Sequence, residues 1–155
     1  MSVLSVRIVS GAVAVKPTGA SKDEIFSFLA DMAVGSYGLE KNMVVERLTQ
    51  REALGSTGFG GAVAIPHAKI DGLEKCVGLF VRLENPMSFD AHDAQPVDLV
   101  FCLLSPVQGG ADHLKALAEI SRFLRDDDAV GKLRGANSAD ALYVLLTGLR
   151  EQRAA

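Results

Sequence analysis

The chain has 155 residues, about the length of one domain, and a chain of that size buries roughly 68–70% of its unfolded surface, enough for a core without disulfide staples. Hydrophobic residues make up 48% and charged residues 23%, which excludes a disordered chain; 16 basic against 19 acidic side chains leave a formal charge of −3, a poor match to a nucleic-acid binder. No apolar run reaches the roughly 20 residues that span a bilayer, and Met1-Ser-Val-Leu-Ser-Val-Arg7 is too short and polar for a secretory signal, so a soluble cytoplasmic protein without membrane insertion is expected.

Along the chain, short β-like runs alternate with amphipathic helices. Residues 11–16 read as a strand or extended lead-in ending at Pro17. Ser21-Lys-Asp-Glu24 is a capping box, in which the Ser hydroxyl and Glu carboxylate satisfy orphan N–H groups at a helix start. Ile25, Phe28, Leu29 and Met32 recur behind it at helical spacing and point to the core, and Gly35 and Gly38 stop the helix. A second helix is predicted over 40–54, with Met43, Val44 and Leu48 inward and Arg47 and Arg51 on one face. Residues 55–61 carry four glycines in seven and read as a flexible segment. Residues 62–65 form a short strand, followed by Pro66 and His67.

Residues 76–83 and 97–104 are near-continuous apolar runs, expected for strands covered on both faces, and 84–96 between them is turn-rich and acidic. Cys76 and Cys102 lie in these runs, form no C-x-x-C pair and read as small buried hydrophobes. Asp112 is the predicted cap of a third helix, with Leu114, Leu117, Ala118, Ser121 and Leu124 as its apolar stripe. Asp126-Asp-Asp128 starts a short helical piece ending near Gly135. Ser138 caps a last helix with Ala141, Leu142, Leu145, Leu146 and Leu149 inward. With no repeat, low-complexity tract or linker, the pattern is a one-domain α/β layered fold over 1–155.

Three histidines are the first candidates for chemistry, because histidine alone changes charge near neutral pH unaided. His67 follows a glycine-rich turn at a strand end, where ligands meet α/β sheets; a structural hydrogen-bonder is the alternative. His113, at the predicted first helical position after Asp112, would sit where N–H groups and the helix dipole favour an anion and a neutral ring, unless it is merely solvated. His92, among acidic turn residues, reads as a surface side chain. Arg51 ends a helix at the glycine loop and carries a planar fork suited to phosphate, whereas Arg47, one turn away, reads as solvated or ion-paired.

The loop Thr57-Gly-Phe-Gly-Gly-Ala lacks the Walker spacing and precedes a strand rather than a helix, which argues against nucleotide binding. Ser56 and Thr57 could hydrogen-bond an oxyanion or simply form the turn, and the glycines let backbone approach closely. No H-x-x-x-H or C-x-x-C spacing points to zinc, and no Gly-x-Ser-x-Gly elbow points to a serine hydrolase. Asp90, Asp93, Asp98 and the 126–128 run read as caps and solvated turns.

The stretch Arg51-Glu-Ala-Leu-Gly-Ser-Thr-Gly-Phe-Gly-Gly-Ala-Val-Ala-Ile-Pro-His-Ala68 resembles the active-site signature of mannitol/fructose-type (type 2) EIIA domains of the bacterial phosphotransferase system, above all their stand-alone nitrogen-regulatory branch. The likeness continues through Phe89-Asp-Ala-x-Asp-x-Gln-Pro-Val-Asp98, Leu103-Leu-x-Pro106, His113-Leu-Lys-x-Leu-Ala118 and the final helix over 138–146; the first twenty residues match least. The resemblance implies a single type-2 EIIA domain with a mixed β-sheet flanked by helices. It implies that His67 is the phosphorylated nucleophile, through Nε2, with His113 and Arg51 contacting the phosphoryl group; Ser56, Thr57 and Gly58 of the glycine loop are further candidates for binding that group. Implied partners are an HPr- or NPr-like phosphocarrier as donor and regulated target proteins as acceptors, with a sugar-specific EIIA serving an EIIB domain as one alternative and a non-transferring anion- or partner-binding module as another. A homodimer is compatible with the sequence, and neither metal nor cofactor is implied. One departure is Gly61, where relatives often carry Asn or another polar residue. A partly apolar rim including Phe59 and Ile65 is expected to dock the donor.

Overall fold

The computed structural model describes residues 4–148; Leu149, expected on the last apolar face, and Met1 to Val3 of the leading segment lie outside the described residues. Six strands form one mixed sheet: β1 (Val13–Thr18), β2 (Gly58–Gly60), β3 (Val63–Ala64), β4 (His67–Ile70), β5 (Val77–Met87) and β6 (Val97–Pro106). Its order is β1-β5-β6-β3-β2, with β4 pairing β6 as well. β5 and β6 are antiparallel; β1 runs parallel to β5, and β3 and β4 run parallel to β6. Helices α1 (Lys22–Tyr37) and α2 (Lys41–Ala53) cover one face, and α3 (Gly110–Arg125), α4 (Asp127–Gly135) and α5 (Ala139–Thr147) the other.

The apolar runs of β5 and β6 follow from this double cover. Val77, Leu79, Val81 and Leu83 pack toward α1 and α2 with Val100, Cys102 and Leu104, whereas Phe80, Leu99, Phe101 and Leu103 pack toward α3, α4 and α5. With the pleat sending alternate residues to opposite faces and both faces buried, neither strand has room for the polar alternation of a one-sided sheet.

Several boundaries differ from the sequence expectation, each for a local reason. Residues 10–12 form a 3-10 turn, and β1 runs through Pro17, which an edge strand tolerates because an outward position needs no N–H donor. Ser21 caps α1 by accepting from the N–H of Glu24, but its own N–H donates to the Gly19 carbonyl rather than to the Glu24 carboxylate. Gly35 lies inside α1; Gly38, in the left-handed region at φ 68°, ends it by donating to the Val34 carbonyl. Phe26 joins Ile25 and Leu29 in the core, leaving Phe28 and Met32 half-buried. Glu40 caps α2. The glycine segment is partly ordered, its 58–60 stretch pairing with β3.

The larger differences concern the strand of His67 and helix α3. His67 does not end the 62–65 strand; it opens a separate strand, β4, paired with Leu103 of β6. Helix α3 is capped by Gly109 rather than Asp112, so His113 is the fourth residue of the helix and its N–H donates to the Gly109 carbonyl. The buried stripe of α3 is accordingly His113, Ala116, Ile120 and Leu124, with Leu114 67% exposed and Ala118 exposed. Asp126 and Ser138 cap α4 and α5 as expected.

Candidate functional site

His67 begins β4, on the sheet face that α3 covers, and α2 ends close by with Arg51 in its last turn. The imidazole is held at both nitrogens. Nδ1 lies 2.8 Å from the Ile65 carbonyl oxygen, and Nε2 lies 3.2 Å from Nε of Arg51. A carbonyl only accepts and a guanidinium only donates, so the proton is on Nδ1 and the lone pair on Nε2, where the Arg51 N–H donates to it. Arg51 is itself anchored, Nη1 donating to the Gly55 carbonyl at 2.9 Å.

His113 approaches from α3 with its ring centroid 5.6 Å from that of His67. Its Nδ1 lies 2.6 Å from Oγ of the fully buried Ser105. Both imidazoles are held below their ordinary pKa. For His67 burial is the largest cause and the Arg51 charge adds to it, against the Ile65 hydrogen bond and Glu52; for His113 burial leads, followed by repulsion from His67 when both rings are protonated and from the Lys69 charge. A half-buried and a buried imidazole therefore stay neutral at neutral pH beside a permanent cation.

Two cavities meet at His67. One of about 420 Å³ is lined by Arg47, Gln50, Arg51, Leu54, His67, Ala68, Lys69 and His113. The other, of about 260 Å³, is lined by Ser56, Thr57, Gly58, Phe59, Ile65, His67, Leu117 and Ser121. Arg47 is ion-paired, donating to Asp71 at 3.2 Å, and still faces the first cavity. Ile65 is a buried wall rather than a rim, and its carbonyl orients His67.

The glycine loop is clamped from behind by groups the sequence reading did not single out. The Glu52 carboxylate, 8% exposed, accepts from the Thr57 N–H at 3.0 Å and hydroxyl at 2.6 Å and pairs with Lys22 at 2.9 Å. Ser56 donates to the Phe89 carbonyl and accepts from the Gly58 N–H. Ser56, Thr57 and Gly58 thus line the space beside His67 while the Ser56 hydroxyl is engaged by Phe89, the Thr57 N–H and hydroxyl by Glu52, and the Gly58 N–H by Ser56. Gly58 has no room for a side chain, since a Cβ there would meet Ala91 at 2.7 Å. At Gly61 the N–H donates to Asp93 and the carbonyl accepts from Arg134, which also grips Asp98 through paired hydrogen bonds. Asp93 and Asp98 are thereby loop anchors, and Asp90 pairs with Lys22. Glu52, next to Arg51 in the last turn of α2, carries no local sign of this role, because Thr57 and Lys22 reach it only through the fold.

The remaining candidates stand apart from this cluster. His92 is exposed. Cys102 is fully buried in β6, its thiol pushed up by burial, whereas Cys76 precedes β5 and is half-buried; both are free thiols. Among the described residues no group of three or more His, Cys, Asp or Glu side chains is placed to hold a metal ion, and no helix is long and apolar enough to cross a membrane.

Residues 8–148 match the family model described as phosphoenolpyruvate-dependent sugar phosphotransferase system, EIIA 2. A nitrogen regulatory protein of Bradyrhizobium diazoefficiens is 52% identical over 81% of this chain and 82% of its own length. The crystal structure of nitrogen regulatory protein IIA-Ntr from Neisseria meningitidis superposes with a TM-score of 0.83 at 31% identity, covering 90% of this chain and 96% of that one. The crystal structure of IIA mannitol from Escherichia coli shares the fold, with a TM-score of 0.74 at 19% identity over 90% of this chain and 98% of that one.

Proposed function

The chain belongs to the EIIA 2 family of the phosphoenolpyruvate-dependent sugar phosphotransferase system, and from that premise we propose that it is a histidine phosphocarrier of the nitrogen-regulatory branch. It accepts a phosphoryl group on Nε2 of His67 from an HPr- or NPr-like carrier in the cytoplasm and controls partner proteins through its phosphorylation state. The branch follows the 52% identical relative, a nitrogen regulatory protein.

The observation that carries the reading is the pair of hydrogen bonds that fixes the tautomer of His67. With its proton on Nδ1 and bonded to the Ile65 carbonyl, Nε2 offers a lone pair in a neutral ring, the form that attacks phosphorus. In the transfer the phosphorus–nitrogen bond to the donor imidazole breaks as the bond to Nε2 forms, and the bonding pair returns to the donor ring. No proton needs to leave His67. Transfer between two histidines is nearly isoenergetic, so the work of the site is alignment and stabilisation of charge spread over three equatorial oxygens. Arg51 caps the Nε2 lone pair in the resting protein, and its fork turns onto the phosphoryl oxygens as the new bond forms. His113 supports the same group from α3.

Incubation with enzyme I, an HPr-type carrier and phosphoenolpyruvate, followed by digestion and mapping of the label, tests this directly. The label is expected on His67; a protein that stays unlabelled, or is labelled elsewhere, refutes the phosphocarrier reading. Onward transfer to a sugar-specific EIIB domain at a rate comparable with loading would move the protein to the sugar-transporting branch.

A further inference from the structure

The row of β6 side chains facing α3 runs Leu99, Phe101, Leu103 and then Ser105, all fully buried. A hydroxyl at the end of an apolar row costs free energy unless it is bonded. Ser105 has two partners, the Cys76 thiol with Sγ at 3.5 Å and Nδ1 of His113 at 2.6 Å. Two assignments are open to this chain. If Nδ1 carried the proton it would donate to Oγ, and the Ser105 hydrogen would be left with the Cys76 sulfur, a weak acceptor. If the hydroxyl donates to Nδ1, the thiol donates to Oγ and each group is satisfied in one direction. The second assignment leaves the His113 proton on Nε2, the nitrogen available to the cavity shared with His67 and Arg51.

On the phosphocarrier reading above, we propose that Ser105 is a positioning residue for phosphoryl transfer: its hydroxyl holds His113 as the neutral Nε2–H tautomer, so that an imidazole N–H meets the phosphoryl oxygens beside the Arg51 guanidinium. The two rings are then locked in opposite states by opposite partners. The Ile65 carbonyl can only accept, which makes Nε2 of His67 a lone pair; the Ser105 hydroxyl donates, which makes Nε2 of His113 a donor. Neighbouring imidazoles so divided supply a nucleophile and an oxyanion donor without any change of charge.

Long-range proton–nitrogen NMR of the histidine rings in the unphosphorylated protein, above neutral pH, reads both tautomers. The expected spectrum has His113 protonated at Nε2 and His67 at Nδ1. Ser105→Ala is expected to shift His113 toward a mixture of tautomers and to slow loading by about tenfold in kcat, with KM for the donor unchanged and the label still on His67. Ser105→Thr, which keeps the hydroxyl, restores both. A wild-type His113 protonated at Nδ1, or a Ser105→Ala protein that loads at the wild-type rate, overturns the proposal. An unlabelled wild-type protein would instead overturn the phosphocarrier reading and the transfer role with it, so the two failures are distinguishable.

Discussion

The two cavities that meet at His67 share an apolar lining and differ in the charged side chains that only one of them carries. The larger, beside α2, is lined by Arg47, Arg51, Lys69 and His113 together with Gln50, Leu54 and Ala68; the smaller, beside the glycine loop, is lined by Phe59, Ile65 and Leu117 together with Gly58, Ser121 and the hydrogen-bonded Ser56 and Thr57. Charge that must be stabilised only during transfer belongs on the first side, where fixed cations and N–H donors need no rearrangement of water. On the proposed function, surface that a visiting carrier covers belongs on the second, where no Arg or Lys lines the wall and the Ser56 and Thr57 hydroxyls are already bonded. On the proposed function, chemistry falls on one side of a single ring and docking on the other.

The largest effect expected is at the ring itself. His67→Ala removes the nucleophile and abolishes labelling, while the circular-dichroism spectrum stays folded because the side chain is only half-buried and His113 keeps its bond to Ser105. Residual labelling in the variant would mean that another residue accepts the phosphoryl group. On the charged side, Arg51→Lys keeps the cation but loses the Nε–H that reaches Nε2 and the fork that spans two phosphoryl oxygens. Loading is expected to slow by roughly 10²-fold, expressed in kcat, with stability little changed; rapid-quench kinetics that match the wild type would remove Arg51 from the chemistry.

A smaller effect follows from pH. His67 is held below its ordinary pKa of about 6.5 by burial first and the Arg51 charge second, and His113 by burial and its neighbouring charges. The loading rate should therefore hold steady as pH falls through about 6.5 and decline only below it, when Nε2 takes up a proton. The sign for stability is the same. Between the lowered folded pKa and the unfolded value the unfolded chain binds more protons, so the contribution of both rings is complete above about 6.5 and is lost as pH falls toward the folded pKa. Urea midpoints that do not decrease on acidification through that window, after subtraction of the His67→Ala response, would contradict the sign for His67.

Much of this was legible in the chain because it is written in local rules. The doubly covered strands announce themselves as unbroken apolar runs, and Ser21, Asp126 and Ser138 mark helix starts by the chemistry of caps. The family likeness named Arg51, His67 and His113, and the fold brings these three together. What was hidden depends on partners distant in sequence. Glu52 matters because Thr57 and Lys22 fold back onto it, and Ser105 because α3 sets His113 against it; neither contact has a signature within its own segment. The start of α3 was misplaced because an acidic residue resembles a cap, whereas Gly109 supplies the turn and Asp112 lies inside the first turn. That shift of register turned His113 from an exposed helix-start residue into a buried one.

The apolar side yields the smallest expected effect and the sharpest discrimination. Phe59 is half-buried, lines the smaller cavity and lies under the Arg125 guanidinium, 4.9 Å from the ring centroid, so its exposed face is oriented rather than loose. It carries no polar group that could act on phosphorus. Truncation to Ala removes contact that is equally present before and during transfer, and such loss raises KM without changing kcat. Phe59→Ala is expected to raise KM for the phosphorylated carrier by about fivefold, the equivalent of one modest apolar contact, at unchanged kcat. Arg51→Lys should do the reverse, lowering kcat at nearly constant KM. If both substitutions moved the same parameter, docking and chemistry would share one surface, and the division of labour across His67 would have to be given up.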